Sequence, residues 1–270
     1  MLIKLMRPLN VILGAFSVLI IHSFLLFRPN TVFTILVVTC FIALSNIIND
    51  IFDQESDKKN HRQKIKKDQL IYIYIFLVII MIIGIISTLQ LNYYSQLVAF
   101  IILPFIVFYT PIFKGIPLIG NILVSILVGA VFIFSEISIK NSIHFSILPF
   151  IFSFWLSLIR EIIKDLEDIK GDKESNIMTL PVCYGENITI KLSLCLMMSL
   201  NIIVLIPYLF NFYNLNYLLA VLIGIILPNS YCIVYLKKKR FYYHYKKIQS
   251  IQKMITIFGL FIVYFMQNNF

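Results

Sequence analysis

Charge is what this sequence lacks most. Asp, Glu, Lys and Arg make up 13% of its 270 residues, while apolar residues make up 60%. A soluble domain carries about a quarter charged residues, so a water-soluble globular chain is excluded. Cysteine is also rare. Cys40, Cys183, Cys195 and Cys232 form no CxxC pair, and three of them lie in apolar runs. That excludes a zinc site and a disulfide framework. Histidine is limited to His22, His61, His144 and His244, which share no ligand spacing; each is expected at a membrane boundary. Glycine is scarce beside heavy use of Ile, Lys, Asn and Tyr, a bias of AT-rich coding that carries no chemistry. No A-x-A-like site follows the first apolar run, and many equivalent runs come after it, so that run is not expected to be a cleaved leader.

Long apolar runs are what is there. Runs of roughly 18 or more such residues are the mark of membrane-crossing helices. Nine are expected, over 10–27, 31–52, 70–89, 94–113, 117–138, 144–166, 187–210, 215–236 and 252–267. Pro104, Pro207 and Pro228 fall inside spans and predict kinks. Most of the 24 Phe and 15 Tyr are expected to face lipid or to form interfacial belts. The fold class is therefore all-α, a polytopic membrane bundle of about nine helices around a central cavity open to the cytoplasmic side. Residues 1–270 form one integral-membrane domain.

Basic residues set the orientation. Lys4 and Arg7 precede the first span. Lys58, Lys59, Arg62, Lys64, Lys66 and Lys67 follow the second, and Lys114 follows the fourth. Arg160, Lys164, Lys170, Lys173 and Lys191 surround the loop after the sixth. Lys237 to Arg240, Lys246, Lys247 and Lys253 fill the loop after the eighth. These are 21 of the 23 basic residues, with only Arg28 and Lys140 on the other side. The net charge of +10 is thus a topology signal and not a nucleic-acid footprint. It predicts a cytoplasmic N-terminus and an external C-terminus.

Eleven of the 13 acids fall in two windows on the cytoplasmic side. One holds Asp50, Asp53, Glu55, Asp57 and Asp68; the other holds Glu161, Asp165, Glu167, Asp168, Asp172 and Glu174. Asn46, Asp50, Asp53 and Asp57 are spaced four, three, four, and so are Glu161, Asp165, Asp168 and Asp172. On a helix this lines one face. A single Asp-x-x-Asp at a helix end is usually a solvated cap; two matched rows on one side are not. Like charges in a row need a compensating cation, and none lies between Asn46 and Asp57. A bound divalent metal is the simplest. Carboxylate oxygens select a hard cation such as Mg2+, which uses one or two carboxylates and completes its shell with phosphate oxygens and water. Two such rows would hold Mg2+ against a diphosphate. Arg62, Lys64, Lys114, Arg160 and Lys164 could neutralise the remaining charge, and an apolar chamber would receive a lipid tail.

At these residues the sequence resembles the UbiA superfamily of intramembrane prenyltransferases. Asn49-Asp50-x-x-Asp53-x-x-x-Asp57 is similar to the first Asp-rich motif of that family. Asp168-x-x-x-Asp172, within "REIIKDLEDIKGDKESNIMTLPVCYG", is similar to the second. "LMRPLN", "PLIGNILVSILVGAVF" and "TLPVCYG" fall where the family has like segments. The resemblance implies catalytic, metal-holding Asp50, Asp53, Asp57, Asp168 and Asp172. It also implies substrate contacts from Asn46, Asn49, Arg62, Lys64, Tyr109, Lys114, Asn121, Arg160, Lys164 and Asp165. The partners implied are a polyprenyl diphosphate, a lipid or aromatic acceptor and membrane lipid, with no nucleic acid and no protein partner. "REIIKDLEDIKGD" most resembles the branch that passes a geranylgeranyl group to the hydroxyl of geranylgeranylglyceryl phosphate. The sequence departs from the family in two places. "HRQKIKKDQL" after Asn60 lacks the usual Pro and Gly. Tyr109 and Lys114 are five apart, where the family often has four.

Two other functions are weighed. One is an aromatic-acceptor prenyltransferase of quinone synthesis, of the 1,4-dihydroxy-2-naphthoate type. The other is a cation-coupled transporter, since intramembrane acids also mark ion paths. Transporters favour broken helices near the midplane, whereas these acids gather at one face.

Overall fold

The computed structural model describes residues 2–25, 28–54, 65, 67–238 and 242–265. Among these residues every regular element is helical. Helix α1 is Leu2–Leu5, α2 Pro8–Leu25, α3 Asn30–Phe52, α4 Leu70–Leu89 and α5 Tyr93–Phe108. Helix α6 is Ile119–Lys140, α7 Ile147–Glu174, α8 Leu180–Tyr184, α9 Glu186–Ile203 and α10 Ile206–Leu209. Helices α11 (Leu215–Val221), α12 (Leu227–Lys238) and α13 (Tyr242–Phe265) complete the chain.

Six helical segments among the described residues are long and apolar enough to cross a membrane: Asn30–Phe52, Leu70–Leu89, Tyr93–Phe113, Ile119–Lys140, Glu186–Leu209 and Leu215–Lys237. Helices also overlie the first, sixth and ninth expected spans. The first is shorter, an apolar stretch over Pro8–Ser23. The sixth, α7, is interrupted by its acidic row, and the ninth, α13, by Lys246, Lys247 and Lys253. The chain is a multi-pass membrane protein.

The helices gather into two compact units. One comprises Met1–Gly115 and Gly129–Phe150; the other comprises Ile116–Val128 and Ile151–Phe270. In the first unit α3 packs against α2 and α4. Ala43 and Ile47 of α3 meet Ile73 and Ile80 of α4, and Leu2, Leu5, Met6 and Val11 close over them. Spacings of four and seven put these residues on one helix face. Gly84 lets α4 approach closely, since a Cβ there would sit 3.3 Å from Cys40 Cβ. Small residues at contacts are how membrane helices gain dispersion energy, because lipid gives no hydrophobic drive to pack. The outer face of α4 carries exposed Ile71, Ile75, Val78, Ile79, Ile82, Ile83 and Ile86, an apolar surface suited to acyl chains.

The largest described core cluster of the second unit draws on four long helices. Leu156, Ile159, Ile163 and Leu166 of α7 meet Ile190, Met197 and Leu200 of α9. Cys232 and Leu236 of α12 join Tyr245, Ile248, Ile255 and Ile262 of α13 in the same cluster. The prolines do not all kink helices. Pro104 lies inside α5, but Pro207 opens α10 after α9 has ended. Pro228 follows a π-helical segment at Leu222–Ile226, where the wider turn absorbs its missing N–H.

His22 departs from expectation. It is fully buried within the bundle and does not face solvent or lipid. Its Nδ1 lies 2.8 Å from Thr31 Oγ1, and its Nε2 lies 3.1 Å from both Ser135 O and Ser138 Oγ. Buried polar groups must be paired in an apolar medium, and this ring ties α2, α3 and α6 together. Glu136 is equally buried. It accepts the backbone N–H groups of His144, Phe145 and Ser146 at 3.0, 3.2 and 2.9 Å, and the Ser146 hydroxyl at 2.7 Å. A carboxylate so placed satisfies orphan donors ahead of α7 and complements its positive dipole end.

Candidate active site

The first acidic row closes α3. The helix ends at Phe52, and Asp53 is its C-cap, with its N–H bonded to Asn49 O. So the row spans the last turn of a helix and its cap. Asp57, Arg62 and Lys64 lie outside the described residues. A helix C-terminus carries negative partial charge and disfavours carboxylates, so Asp50 and Asp53 need cations. Sequence reasoning placed none between Asn46 and Asp57, and the structure brings two from far along the chain. Arg7 Nη2 donates to Asp50 Oδ1 at 2.6 Å. Lys114 Nζ pairs with Asp53 Oδ1.

Neighbouring polar groups hold the row in place. Thr110 donates its hydroxyl to Asn49 Oδ1 at 2.7 Å. Asn46 donates Nδ2 to Met6 O at 2.9 Å, which anchors the segment bearing Arg7. Arg7 itself has φ +52°, a left-handed conformation that a non-glycine residue adopts only when its surroundings hold it there.

The five-residue spacing of Tyr109 and Lys114 has a structural answer. Tyr109–Phe113 form a π-helical turn, and the Lys114 N–H bonds to Tyr109 O at 2.8 Å. In an α-helix that bond would join residues four apart. The wider ring takes up one extra residue, so Lys114 stands over Tyr109 as a residue four on would in an α-turn. Tyr109 is buried, and Lys114 reaches Asp53.

The second row lies wholly within α7, so its spacing does line one helix face. Asp168 and Asp172 are buried, with Asp172 only 3% exposed. Asp172 accepts from the Thr179 hydroxyl at 3.3 Å. Asp165 accepts from Asn121 Nδ2 at 2.8 Å, which brings the "PLIGN" segment to the row. Glu161 is held by Arg160 at 3.1 Å and by Lys164 at 3.7 Å. Glu167 accepts from Gln249 Nε2 at 2.6 Å. This row too sits toward a helix C-terminus, where anions cost stability. Such a placement is expected of residues kept for chemistry.

Both rows offer only oxygen donors: carboxylates, with the Asn49 amide oxygen beside the first. That donor chemistry suits a hard divalent cation. Among the described residues no group of three or more His, Cys, Asp or Glu side chains is already gathered as a metal site. Asp50 and Asp53 instead face the Arg7 and Lys114 cations. Arg7, Thr110, Thr179 and Gln249 were not singled out as site residues from sequence. Arg7 was visible in "LMRPLN" but read there as a topology signal.

A multi-pass helical membrane protein with two rows of oxygen donors is the class that fold and residues define. Residues 11–242 match the UbiA prenyltransferase family, and the chain belongs to that family; it is a prenyltransferase. It is 37% identical over 194 residues to the digeranylgeranylglyceryl phosphate synthase of Methanococcus vannielii, covering 70% of this chain and 68% of that one. It is 29% identical over 267 residues to the synthase of the same name from Methanosphaera stadtmanae, covering 94% and 95%. A solved structure of a digeranylgeranylglyceryl phosphate synthase superposes with a TM-score of 0.76 at 27% identity, covering 100% of this chain and 98% of that one. A UbiA homolog from Archaeoglobus fulgidus, solved bound to GPP and Mg2+, shares the fold. Its TM-score is 0.65 at 15% identity, over 97% of this chain and 99% of that one.

Proposed function

We propose that this chain, acting as one domain over residues 1–270, transfers a geranylgeranyl group from its diphosphate to the hydroxyl of geranylgeranylglyceryl phosphate. The observation that carries this reading is the pair of oxygen-only rows, with Asp53, Asp168 and Asp172 buried, in a chain akin to the named synthases. The residues that would hold Mg2+ are Asp50, Asp53, Asp57, Asp168 and Asp172. When bound, it would supply positive charge to the departing diphosphate. The chain's own residues do the rest. Arg7 and Lys114 pair with the first row's carboxylates and could also donate to diphosphate oxygens. Asn49 is fixed by Thr110 beside the first row, and Asp165 is fixed by Asn121 within the second. The allylic C–O bond to diphosphate breaks, an ether C–O bond forms, and the acceptor hydroxyl gives its proton to the departing diphosphate.

The basic residues support nine crossings, a cytoplasmic N-terminus and site, a cavity opening to that side, and an external C-terminus. The test is direct. Purified protein is incubated with labelled geranylgeranyl diphosphate, Mg2+, and either geranylgeranylglyceryl phosphate or 1,4-dihydroxy-2-naphthoate. Ether product with the first acceptor alone is expected, abolished by EDTA and restored by Mg2+. Asp168→Asn should fold and lose about a hundredfold in rate, equivalent to about 3 kcal/mol. Product with the aromatic acceptor alone would refute the acceptor; full turnover in chelator would refute the metal.

A further inference from the structure

Helix α7 presents three faces, and two of them are spent on packing. Leu156, Ile159, Ile163 and Leu166 enter the large core of their unit. Leu158 and Ile162 enter a second cluster with Leu180, Leu118 and Ile122. The third face is polar. Steps of three and four residues carry it from Ser157 through Arg160 and Lys164 to Asp168 and Asp172. The acidic row is therefore only the C-terminal part of a longer polar stripe. Ser157 is 6% exposed, and its hydroxyl has no hydrogen-bond partner among the described residues. Serines inside helices often satisfy themselves at a carbonyl one turn back. Ser17, Ser125, Ser135 and Ser193, also buried, do this at 2.9, 2.6, 2.6 and 2.9 Å. Ser157 does not. A buried hydroxyl without a partner is costly, so its position calls for a ligand.

Arg160 follows one turn on, beside the fully buried Ile159, Ile162 and Ile163. An arginine among such residues in a membrane protein marks a functional site. Helical side chains lean toward the N-terminus, so Arg160 leans toward the turn that bears Ser157. Among the described residues its guanidinium meets one group, Glu161, through Nη2 at 3.1 Å. That contact engages one nitrogen of a fork with five N–H donors. The rest of the fork can take an anion, and its planar shape matches the paired oxygens of a phosphate.

The reaction proposed above brings two phosphorus groups to the chain, the leaving diphosphate and the phosphate of the acceptor. The oxygen-only rows suit the first through Mg2+. Eight residues separate Arg160 from Asp168, about 12 Å along the axis. The diphosphate, the allylic carbon, the attacking oxygen and the glycerol carbons stand in series before the acceptor phosphorus, so the second phosphate belongs at a distance of that order. We propose that Ser157 and Arg160 form the subsite for the phosphate of the acceptor. The Ser157 hydroxyl and the Arg160 donors not engaged by Glu161 bond its oxygens, and Glu161 orients the guanidinium. This inference rests on the acceptor proposed above.

The test is steady-state kinetics of the full chain in detergent with Mg2+, varying geranylgeranyl diphosphate and geranylgeranylglyceryl phosphate in turn. Ser157→Ala and Arg160→Gln should each raise the KM for the acceptor by about tenfold to a hundredfold, the size of a lost hydrogen bond to a charged group. The KM for geranylgeranyl diphosphate should stay as in wild type. Ser157→Thr, which keeps the hydroxyl, should restore the acceptor KM. Ser193→Ala, which removes a hydroxyl bonded to its own helix, should change neither. Ser157→Ala should melt no lower than wild type, since the hydroxyl it removes has no partner in the chain, so its kinetics are read on folded protein. An unchanged acceptor KM in both variants would overturn the subsite and leave the hydroxyl to a water. An equal rise in the KM for geranylgeranyl diphosphate would overturn it as well, by assigning the pair to the donor. A wild type that forms no ether from geranylgeranylglyceryl phosphate would instead remove the acceptor, and the subsite with it.

Discussion

Replacing Lys114 with methionine removes a charge and keeps most of the side-chain volume, so it isolates what that charge does for Asp53. The pair is well shielded, with side chains 16% and 12% exposed. Losing one partner of a buried ion pair costs about 3–5 kcal/mol, because the other charge stays buried alone. The residual exposure argues for the lower end, about 3 kcal/mol. Arg7 and Asp50 are more open, at 39% and 20%, so Arg7→Met should cost about 1 kcal/mol or less. At roughly 2–4 °C per kcal/mol for a chain of this size, Lys114→Met should melt about 6–12 °C below wild type in chelator, and Arg7→Met only slightly below. Adding Asp53→Asn to Lys114→Met removes the stranded charge and should recover most of the loss, a coupling of the kind expected for residues in contact. Mg2+ should then raise the melting temperature of Lys114→Met more than that of wild type, since the ion supplies the charge the lysine no longer does. The measurement is thermal unfolding followed by intrinsic fluorescence in detergent, with EDTA or Mg2+. Lys114→Met melting with wild type, or a double variant worse than the sum of the singles, would refute the account of Lys114 as the row's built-in counterion.

Further outcomes can be measured in the same way. Gly129→Ala should destabilise by about 1–3 kcal/mol, because its Cβ would lie 2.9 Å from Phe150 Cδ2 and 3.0 Å from Phe150 O, and a backbone atom cannot step aside. Gly259→Ala, with nothing within 4 Å, should be neutral or stabilising, and the reverse order would contradict the packing. Glu136→Ala should cost at least about 3 kcal/mol, since three N–H groups and a hydroxyl lose their acceptor. Glu136→Gln, which keeps one oxygen, should be milder; an Ala variant as stable as wild type would exclude the capping role. Cysteines placed at Asn141 and Lys173 should react with an impermeant maleimide from opposite sides of the membrane, and reaction from one side alone would overturn the orientation.

Much of the fold could be read from sequence because membrane helices announce themselves by length and apolarity. The second acidic row was legible for a related reason. Glu161, Asp165, Asp168 and Asp172 sit inside one helix, so sequence spacing is spatial spacing. The first row shows where that stops. Its counterions are 43 and 61 residues away from the carboxylates they meet, and no local rule reports such a contact. The π-turn at Tyr109–Phe113 was invisible because it changes residues per turn without changing residue type. The burial of His22 was not legible, because a histidine near the end of an apolar run looks exposed. Its partners Ser135 and Ser138 lie 113 and 116 residues on. The contacts of Asn121 with Asp165 and of Gln249 with Glu167 are long-range in the same way.

The length of α7 sets how the reaction's products part company. Its 28 residues reach about 42 Å at 1.5 Å per residue, against a hydrocarbon thickness of about 30 Å. Counted from Ile147, Asp168 stands 21 residues on, about 31 Å along the axis. A helix entering the hydrocarbon at Ile147 therefore delivers Asp168 and Asp172 to the seam between oil and water. On the proposed function, cleavage at that seam would yield two fragments with opposite solubilities. The diphosphate would drain into water, while the newly doubled lipid would slide sideways among acyl chains. Partition between two solvents then draws both products away, and neither must retrace the path by which its parent arrived.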